Sequence, residues 1–225
     1  MGQTKQGAFD MKYHHIDAPT KQDDEYGREF HKRILSQKDF RTPLLEYLSD
    51  KPWLMKRKLD GENLRIMWDG EQALWNGKSD KFQCGSELTD YMNNTFLEEI
   101  FEEKFGRDKR VYIFGEHMGP KSQGNELGLE KSECIIYDVK VNNVWLSPVD
   151  IISVAEYFGC RTCYDFMGNI PIGISKTLSE YIAEVSSGIY EDWEGIVCVP
   201  AVECCYPTGE RVICKIKNKD YLKKN

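Results

Sequence analysis

The sequence predicts an α+β fold whose sheets are largely antiparallel. Strand-length apolar runs are interleaved with amphipathic helical stripes, and Asp-Gly turns at Asp60-Gly61 and Asp69-Gly70 separate successive strand runs. Size and composition support the same reading: 225 residues, 40% hydrophobic and 12% aromatic, suffice for a substantial core and are too apolar for a disordered chain. No internal repeat or low-complexity linker interrupts the chain.

The polar first forty residues carry one helical pattern, Asp24 to Ser36, in which Tyr26, Phe30 and Ile34 recur every fourth position. Thr42-Pro43 is a helix start and predicts a short helix to Leu48. Trp53 to Leu59 and Asn63 to Trp68 are expected as strands flanking the Asp60-Gly61 turn, followed by Ala73 to Asn76 after Asp69-Gly70. Leu88, Tyr91, Met92, Phe96, Ile100 and Phe101 mark one apolar stripe, so a single helix is predicted from Leu88 to Phe105, stopped by Gly106. Arg110 to Glu116 and Cys134 to Val141 are core strands joined through the glycine-rich segment Gly119 to Gly128. A helix entered at Pro148 runs to Phe158, and another, capped by Ser179, runs to Ser187. Gly195 to Val199 and Arg211 to Lys217 complete the strands. The expected organisation is an N-terminal helical extension over residues 1–50, packed on a core domain over 51–225.

No run of about 18 apolar residues is present, and the N-terminus lacks the apolar core of a signal peptide, so an intracellular, cytoplasmic protein without a membrane segment is expected. The eight cysteines then read as reduced thiols. Cys160-x-x-Cys163 with the adjacent pair Cys204-Cys205 lacks the spacing of common zinc motifs, whereas Cys198 and Cys214 lie in apolar strands and read as core. A net charge of −7 argues against a protein that coats nucleic acid indiscriminately, but it leaves room for local basic clusters. There are two, at Lys51, Lys56, Arg57 and Lys58 and at Lys215, Lys217, Lys219, Lys223 and Lys224.

Lys58 opens the hexapeptide Lys58-Leu59-Asp60-Gly61-Glu62-Asn63, entered from the apolar Trp53, Leu54 and Met55. An amine at a strand end before a tight turn is a candidate nucleophile if neighbouring cations, such as Lys56 and Arg57, and desolvation lower its pKa. Alone, Lys-x-Asp-Gly is an ordinary surface hairpin. Here it is followed by Phe114-Gly115-Glu116, Ile135-Ile136-Tyr137-Asp138-Val139, Glu194-Gly195-Ile196-Val197 and Lys215-Ile216-Lys217-Asn218-Lys219. These five blocks, in this order, resemble the nucleotidyltransferase motifs shared by ATP-dependent ligases and mRNA capping enzymes. The family's DNA ligases usually carry arginine at the sixth position of the first motif, whereas RNA ligases of the RNA ligase 2 type carry asparagine, and this chain has Asn63. The opening Tyr13-His14-His15-Ile16, the phrase Met67-Trp68-Asp69-Gly70 and the ending through Asp220-Tyr221 likewise resemble small phage-type RNA ligases.

The resemblance implies the two-sheet, largely antiparallel adenylation-domain fold of DNA and RNA ligases, with flanking helices. It implies an ATP-dependent RNA ligase, acting in RNA repair, with ATP as AMP donor and Mg2+ or Mn2+ as the metal. Lys58 would carry a covalent lysyl-AMP, with Lys215 and Lys217 at the α-phosphate and departing pyrophosphate. Strand alternation puts Ile213, Lys215, Lys217 and Lys219 on one face, so that Lys215 and Lys217 can reach one phosphate chain. By resemblance Glu194 supports the metal, and Glu116 meets the ribose hydroxyls or metal-bound water. Tyr137 stands where relatives stack a phenylalanine on the purine. Asn63 would order metal or RNA 5′-phosphate, and Asp60 and Gly61 would shape the turn. Lys78 stands where relatives often have arginine, whose bidentate fork lysine does not reproduce. Arg57 is a further candidate for the adenine edge.

The partner implied is RNA with a 5′-phosphate and a 3′-hydroxyl. The last motif lies close to Asn225, so no C-terminal OB fold or helical domain is expected, and an accessory protein could supply the missing clamp. Competing readings are a minimal ATP-dependent DNA ligase and a non-sealing relative that binds nucleotide or RNA; a capping guanylyltransferase is disfavoured by length.

Overall fold

The computed structural model describes residues 5–6, 11, 13–23, 35–79, 81–120, 122 and 125–221. It is α+β, and its contacts divide the chain into two units, with one division inside the hexapeptide that Lys58 opens. One comprises Met1–Tyr13 with Asp60–Phe166; the other comprises His14–Leu59 with Met167–Asn225. The expected boundary at residue 50 is therefore not where the contacts divide, and the segment expected as one domain from residue 51 contributes to both units. Sheet pairing explains why: the strands on either side of Asp60-Gly61 do not pair with each other but join different sheets.

The first unit holds a six-stranded sheet in the order β1 (Lys5–Gln6), β6 (Ala73–Gly77), β5 (Glu62–Trp68), β7 (Val111–Met118), β8 (Glu133–Val141), β9 (Val144–Trp145). All neighbours are antiparallel except β1 with β6. Alternation along β5 sends Leu64, Ile66 and Trp68 to one face and Asn63, Arg65 and Met67 to the other. The first face is apolar and covered by helices: Trp68 stacks on Phe101, which packs on Phe158. These rings come from α3 (Glu98–Phe105) and from the residue that ends α4 (Pro148–Tyr157). The second face carries Asn63 opposite Glu116, Arg65 opposite Phe114 and Met67 opposite Tyr112.

The helix expected from Leu88 to Phe105 is two helices, α2 (Ser86–Thr95) and α3, broken at Phe96 and Leu97. Phe96 and Phe101 are both fully buried. Five residues of an unbroken helix would rotate them about 140° apart, so the break lets both rings enter one core. Gly106 stops α3 at φ 74°, as expected. α4 begins with Pro148 after a Ser147 cap that accepts from Asp150 N–H.

The second unit holds a four-stranded antiparallel sheet, β10 (Ser175–Thr177), β4 (Pro52–Lys58), β11 (Gly195–Pro200), β12 (Cys214–Lys217), and a two-stranded sheet, β2 (Thr20–Gln22) with β3 (Leu35–Phe40). The helix expected over Asp24 to Ser36 lies mostly outside the described residues; its last two, Leu35 and Ser36, open β3. α1 (Pro43–Leu48) is capped by Thr42 as its sequence predicts. α5 (Leu178–Ser186) starts one residue earlier than expected, capped by Thr177 and not Ser179. Glu180 lies three residues after Thr177 and closes a reciprocal capping box, which Ser179 could not form. α5 buries Leu178, Tyr181, Ile182 and Val185. Trp53, Cys198, Cys214, Ile196 and Ile216 are also buried, confirming the two cysteines as core. β12 stops at Lys217 and the chain turns into α6 (Asn218–Tyr221), so Lys219 leaves the alternation expected of it. No helix among the described residues is long and apolar enough to cross a membrane.

Candidate active site

In the second unit three strands bring the lysines together. The register sets Lys58 opposite Gly195 and Gly195 opposite Lys217, and one step along sets Lys56 opposite Val197 and Val197 opposite Lys215. Residues directly opposite in an antiparallel sheet point to the same face. Lys56, Lys58, Lys215 and Lys217 therefore share one face of β4, β11 and β12. Arg57 points the other way and lies over the Trp193 ring, 5.1 Å from its centroid. The cations that neighbour Lys58 thus come from β12, and only one of the two expected from β4 lies on its face. Such a crossing of distant segments has no signature in local sequence.

Between Lys58 and Lys217 the row has no side chain, because its middle position is Gly195. A Cβ there would lie 2.2 Å from the Ile216 carbonyl oxygen, and φ is 153°. Glu194, just before β11, uses both carboxylate oxygens: Lys58 Nζ donates to one and Lys217 Nζ to the other. Lys58 Nζ also donates to the Leu59 carbonyl at 3.2 Å. The three side chains keep only 22%, 13% and 18% of their exposure for Lys58, Glu194 and Lys217. Burial by itself would raise the Glu194 carboxyl, but the Lys58 and Lys217 ammoniums outweigh it and hold the group below the ordinary carboxylate value. Lys215 is pushed below the usual lysine value by burial, then by repulsion from Lys217 and Lys58. Two ammoniums on one carboxylate, with Lys215 on the same strand face, carry excess positive charge, which suits a polyphosphate.

In the first unit Glu116 anchors the turn that follows the lysine. Gly61 N–H donates to one of its oxygens at 3.1 Å and Asn63 Nδ2 to the other at 2.7 Å. Gly61 packs so closely that a Cβ would lie 2.3 Å from the His117 carbonyl oxygen, so the glycine is required by approach to backbone. Asp60 and Lys78 are exposed.

Tyr137 is set by a β-bulge. Phe114 pairs with Asp138 and Gly115 pairs with Ile136, which leaves Tyr137 as the extra residue on β8. Its partly buried ring lies edge-on to Tyr13, with centroids 5.3 Å apart. Tyr13 also packs on Phe114 at 4.8 Å and donates its hydroxyl to the buried Asp138. Arg65, 2% exposed, donates to the Gly77 carbonyl at 2.6 Å and to the Met11 carbonyl at 3.2 Å. Tyr13, Arg65 and Asp138 were not singled out for these roles from sequence. The signal for Arg65 was present, since a charged residue stands inside an otherwise strand-like run.

Metal chemistry fits the donors in a limited way. Among the described residues no group of three or more His, Cys, Asp and Glu side chains gathers. A hard cation such as Mg2+ needs only one or two carboxylates when phosphate and water oxygens complete its shell. Glu194 is a carboxylate of that kind within the second unit, and Glu116 is one within the first.

No family model matches the chain, and no curated protein matches it. Solved structures do. An RNA ligase of Naegleria gruberi with pyrophosphate is 14% identical over 94% of this chain and 58% of that one, with a TM-score of 0.57. A lysine-to-alanine mutant of the same ligase with ATP and Mn is 12% identical, covers 92% and 57%, and also gives 0.57. A glutamate-to-alanine mutant with AMP and Mn is 13% identical over 78% and 52%, with a TM-score of 0.56. The chain thus spans less than three fifths of the length of these ligases, and what it shares with them is the fold: the mixed α+β, largely antiparallel architecture of an RNA ligase.

Proposed function

We propose that this chain is an ATP-dependent RNA ligase of the RNA ligase 2-like, phage-type group, which transfers AMP through Lys58. The observation that carries the reading is the contact of Lys58 with Glu194 and of Glu194 with Lys217 inside a fold of RNA ligase type. In this reading the Lys58 amine, once deprotonated, attacks the α-phosphorus of ATP, forming a P–N bond as the bond to pyrophosphate breaks. A 5′-phosphate oxygen of RNA then attacks the same phosphorus and Lys58 leaves, regaining a proton. Finally a 3′-hydroxyl attacks the RNA 5′-phosphorus and AMP departs. Lys215 and Lys217 bind the phosphate oxygens and offset the charge on pyrophosphate. Their common strand face supports this role.

Mg2+ or Mn2+, when bound, would neutralise phosphate charge; Glu194 is the carboxylate proposed to support it, and Glu116 is a further candidate carboxylate. Glu116 holds Gly61 and Asn63, and so keeps the turn after Lys58 in shape for the 5′-phosphate. Tyr137 offers an aromatic face to the purine, and Lys78 a point charge to ribose or phosphate. Asp60 shapes the turn. An RNA substrate is supported by Asn63 at the sixth position of the first motif, and an intracellular site of action and a clamp contributed by an accessory protein belong to the same reading.

Incubation with labelled ATP or GTP and Mg2+, followed by mass spectrometry, tests the first step. One AMP attached to wild type and none to Lys58→Ala is expected, with loss on the order of 10⁴-fold or more for removal of a nucleophile. An increment that persists in Lys58→Ala, or one of GMP, overturns the assignment. Sealing of nicked duplex RNA against nicked duplex DNA then decides the polymer.

A further inference from the structure

Glu194 lies outside the strand ladder. It follows a string of turns from Ser187 and precedes the first residue of β11, so no regular pairing sets the position of its side chain. One residue does. Asn218, immediately after Lys217 and 7% exposed, donates through its amide to the Tyr190 carbonyl and to the Trp193 carbonyl, each at 2.5 Å. Its backbone N–H donates to the Glu194 carbonyl at 3.1 Å. Both side-chain partners are carbonyls, so the amide cannot be turned over without setting oxygen against oxygen. Its own Oδ1 is buried with no hydrogen-bond partner among the described residues. A buried acceptor without a partner is costly, so an apolar residue would serve packing better. What distinguishes asparagine here is its pair of donors.

We infer that Asn218 is the positioning residue for Glu194: it pins the main chain on both sides of the Tyr190–Trp193 turn so that the carboxylate meets Lys58 and Lys217 together. The inference rests on the proposed role of Glu194 for its functional consequence, but not for its geometry. Lys217 and Asn218 then act as one grip, the lysine on the carboxylate and the asparagine on the backbone that carries it. Asn218 itself touches no reacting atom.

The test uses full-length Asn218→Ala and Asn218→Ser, because serine supplies at most one donor and is gentler on packing. Acetic anhydride labelling read by mass spectrometry reports each lysine. Labelling of Lys58 and Lys217 should rise about tenfold in Asn218→Ala, the equivalent of one lost hydrogen bond, and less in Asn218→Ser. Lys56, on the same strand face and 4% exposed, should stay protected if the fold is intact. In the same variants the Mn2+ concentration for half-maximal AMP attachment should rise about tenfold while the KM for ATP holds, a split that a change in folded fraction alone does not produce. Unchanged labelling, or exposure of Lys56 in both variants, would overturn the positioning role; raised labelling with an unmoved Mn2+ requirement would overturn its functional consequence. If wild type takes up no AMP at all, the ligase reading fails by itself, and the labelling still decides whether Asn218 holds Glu194.

Discussion

Glu194 and Glu116 are the same residue type held in opposite ways. Glu194 sits between two ammoniums supplied from 136 and 23 residues away, whereas Glu116 accepts from a backbone N–H and a side-chain amide that lie 55 and 53 residues away on the turn after the lysine. The first arrangement balances charge with charge, so an incoming cation or anion can compete for any member. The second satisfies a carboxylate with dipoles, leaving its charge in place while fixing the shape of a loop. Under the proposed ligase reading, exchangeable charge suits a place that binds phosphate, and a dipole-held acid suits one where geometry must not change.

The comparison is broken hardest at Glu194. Replacement by Gln leaves two ammoniums facing each other without a carboxylate. Removing one partner of a fully buried pair costs about 3–5 kcal/mol, and partial exposure reduces that to about 2 kcal/mol here. Urea denaturation of Glu194→Gln at neutral pH measures it; a change near zero would show that the pair is solvated and the contrast empty.

Glu116→Gln should cost a comparable amount but act differently. Its amide can accept one of the two donors but presents N–H to the other, a loss of about 1–3 kcal/mol for one unsatisfied buried group. Hydrogen exchange at Gly61 N–H should accelerate in that variant, and a protected Gly61 would show that Glu116 is not the anchor. Smaller is Tyr13→Phe, which keeps the ring contacts with Phe114 and Tyr137 but removes the donor to Asp138, about 1.5 kcal/mol for a hydrogen bond to a charged group. Thermal unfolding reads it directly.

Acidity sharpens the contrast with the gentlest perturbation. The folded Glu194 carboxyl lies below its unfolded value, so between the two the unfolded chain binds more protons and stability rises with pH. Its contribution is present above the ordinary glutamate range and is lost as pH falls through that range and below it. Unfolding measured across this acid limb should show a shallower slope in Glu194→Gln than in wild type. An identical slope would remove Glu194 from the titration.

Much of the candidate site's make-up was legible in the chain. Lys58, Glu194, Lys215 and Lys217 were singled out by motif, and alternation in Lys215-Ile216-Lys217 correctly put the two lysines on one face. Helix starts at Pro43 and Pro148 were readable because capping is local. Other expectations failed, some through contacts between elements and some through competing local bonds. The α2 and α3 break follows from burying two rings at once, the Thr177 cap from a reciprocal bond with Glu180, and the departure of Lys219 from a turn into α6.

By itself the sequence determined which side chains are available, in what order they occur, and which neighbours along a strand share a face, because period-two alternation is a property of the backbone. Only the tertiary structure decided that β4 pairs with β11 and β10 and not with the strand after its own turn, that Gly195 leaves the space between Lys58 and Lys217 open, and that Asn218 grips the turn carrying Glu194. Strand partners are chosen by burial and hydrogen bonding summed over residues far apart in the chain, and no local pattern encodes that sum.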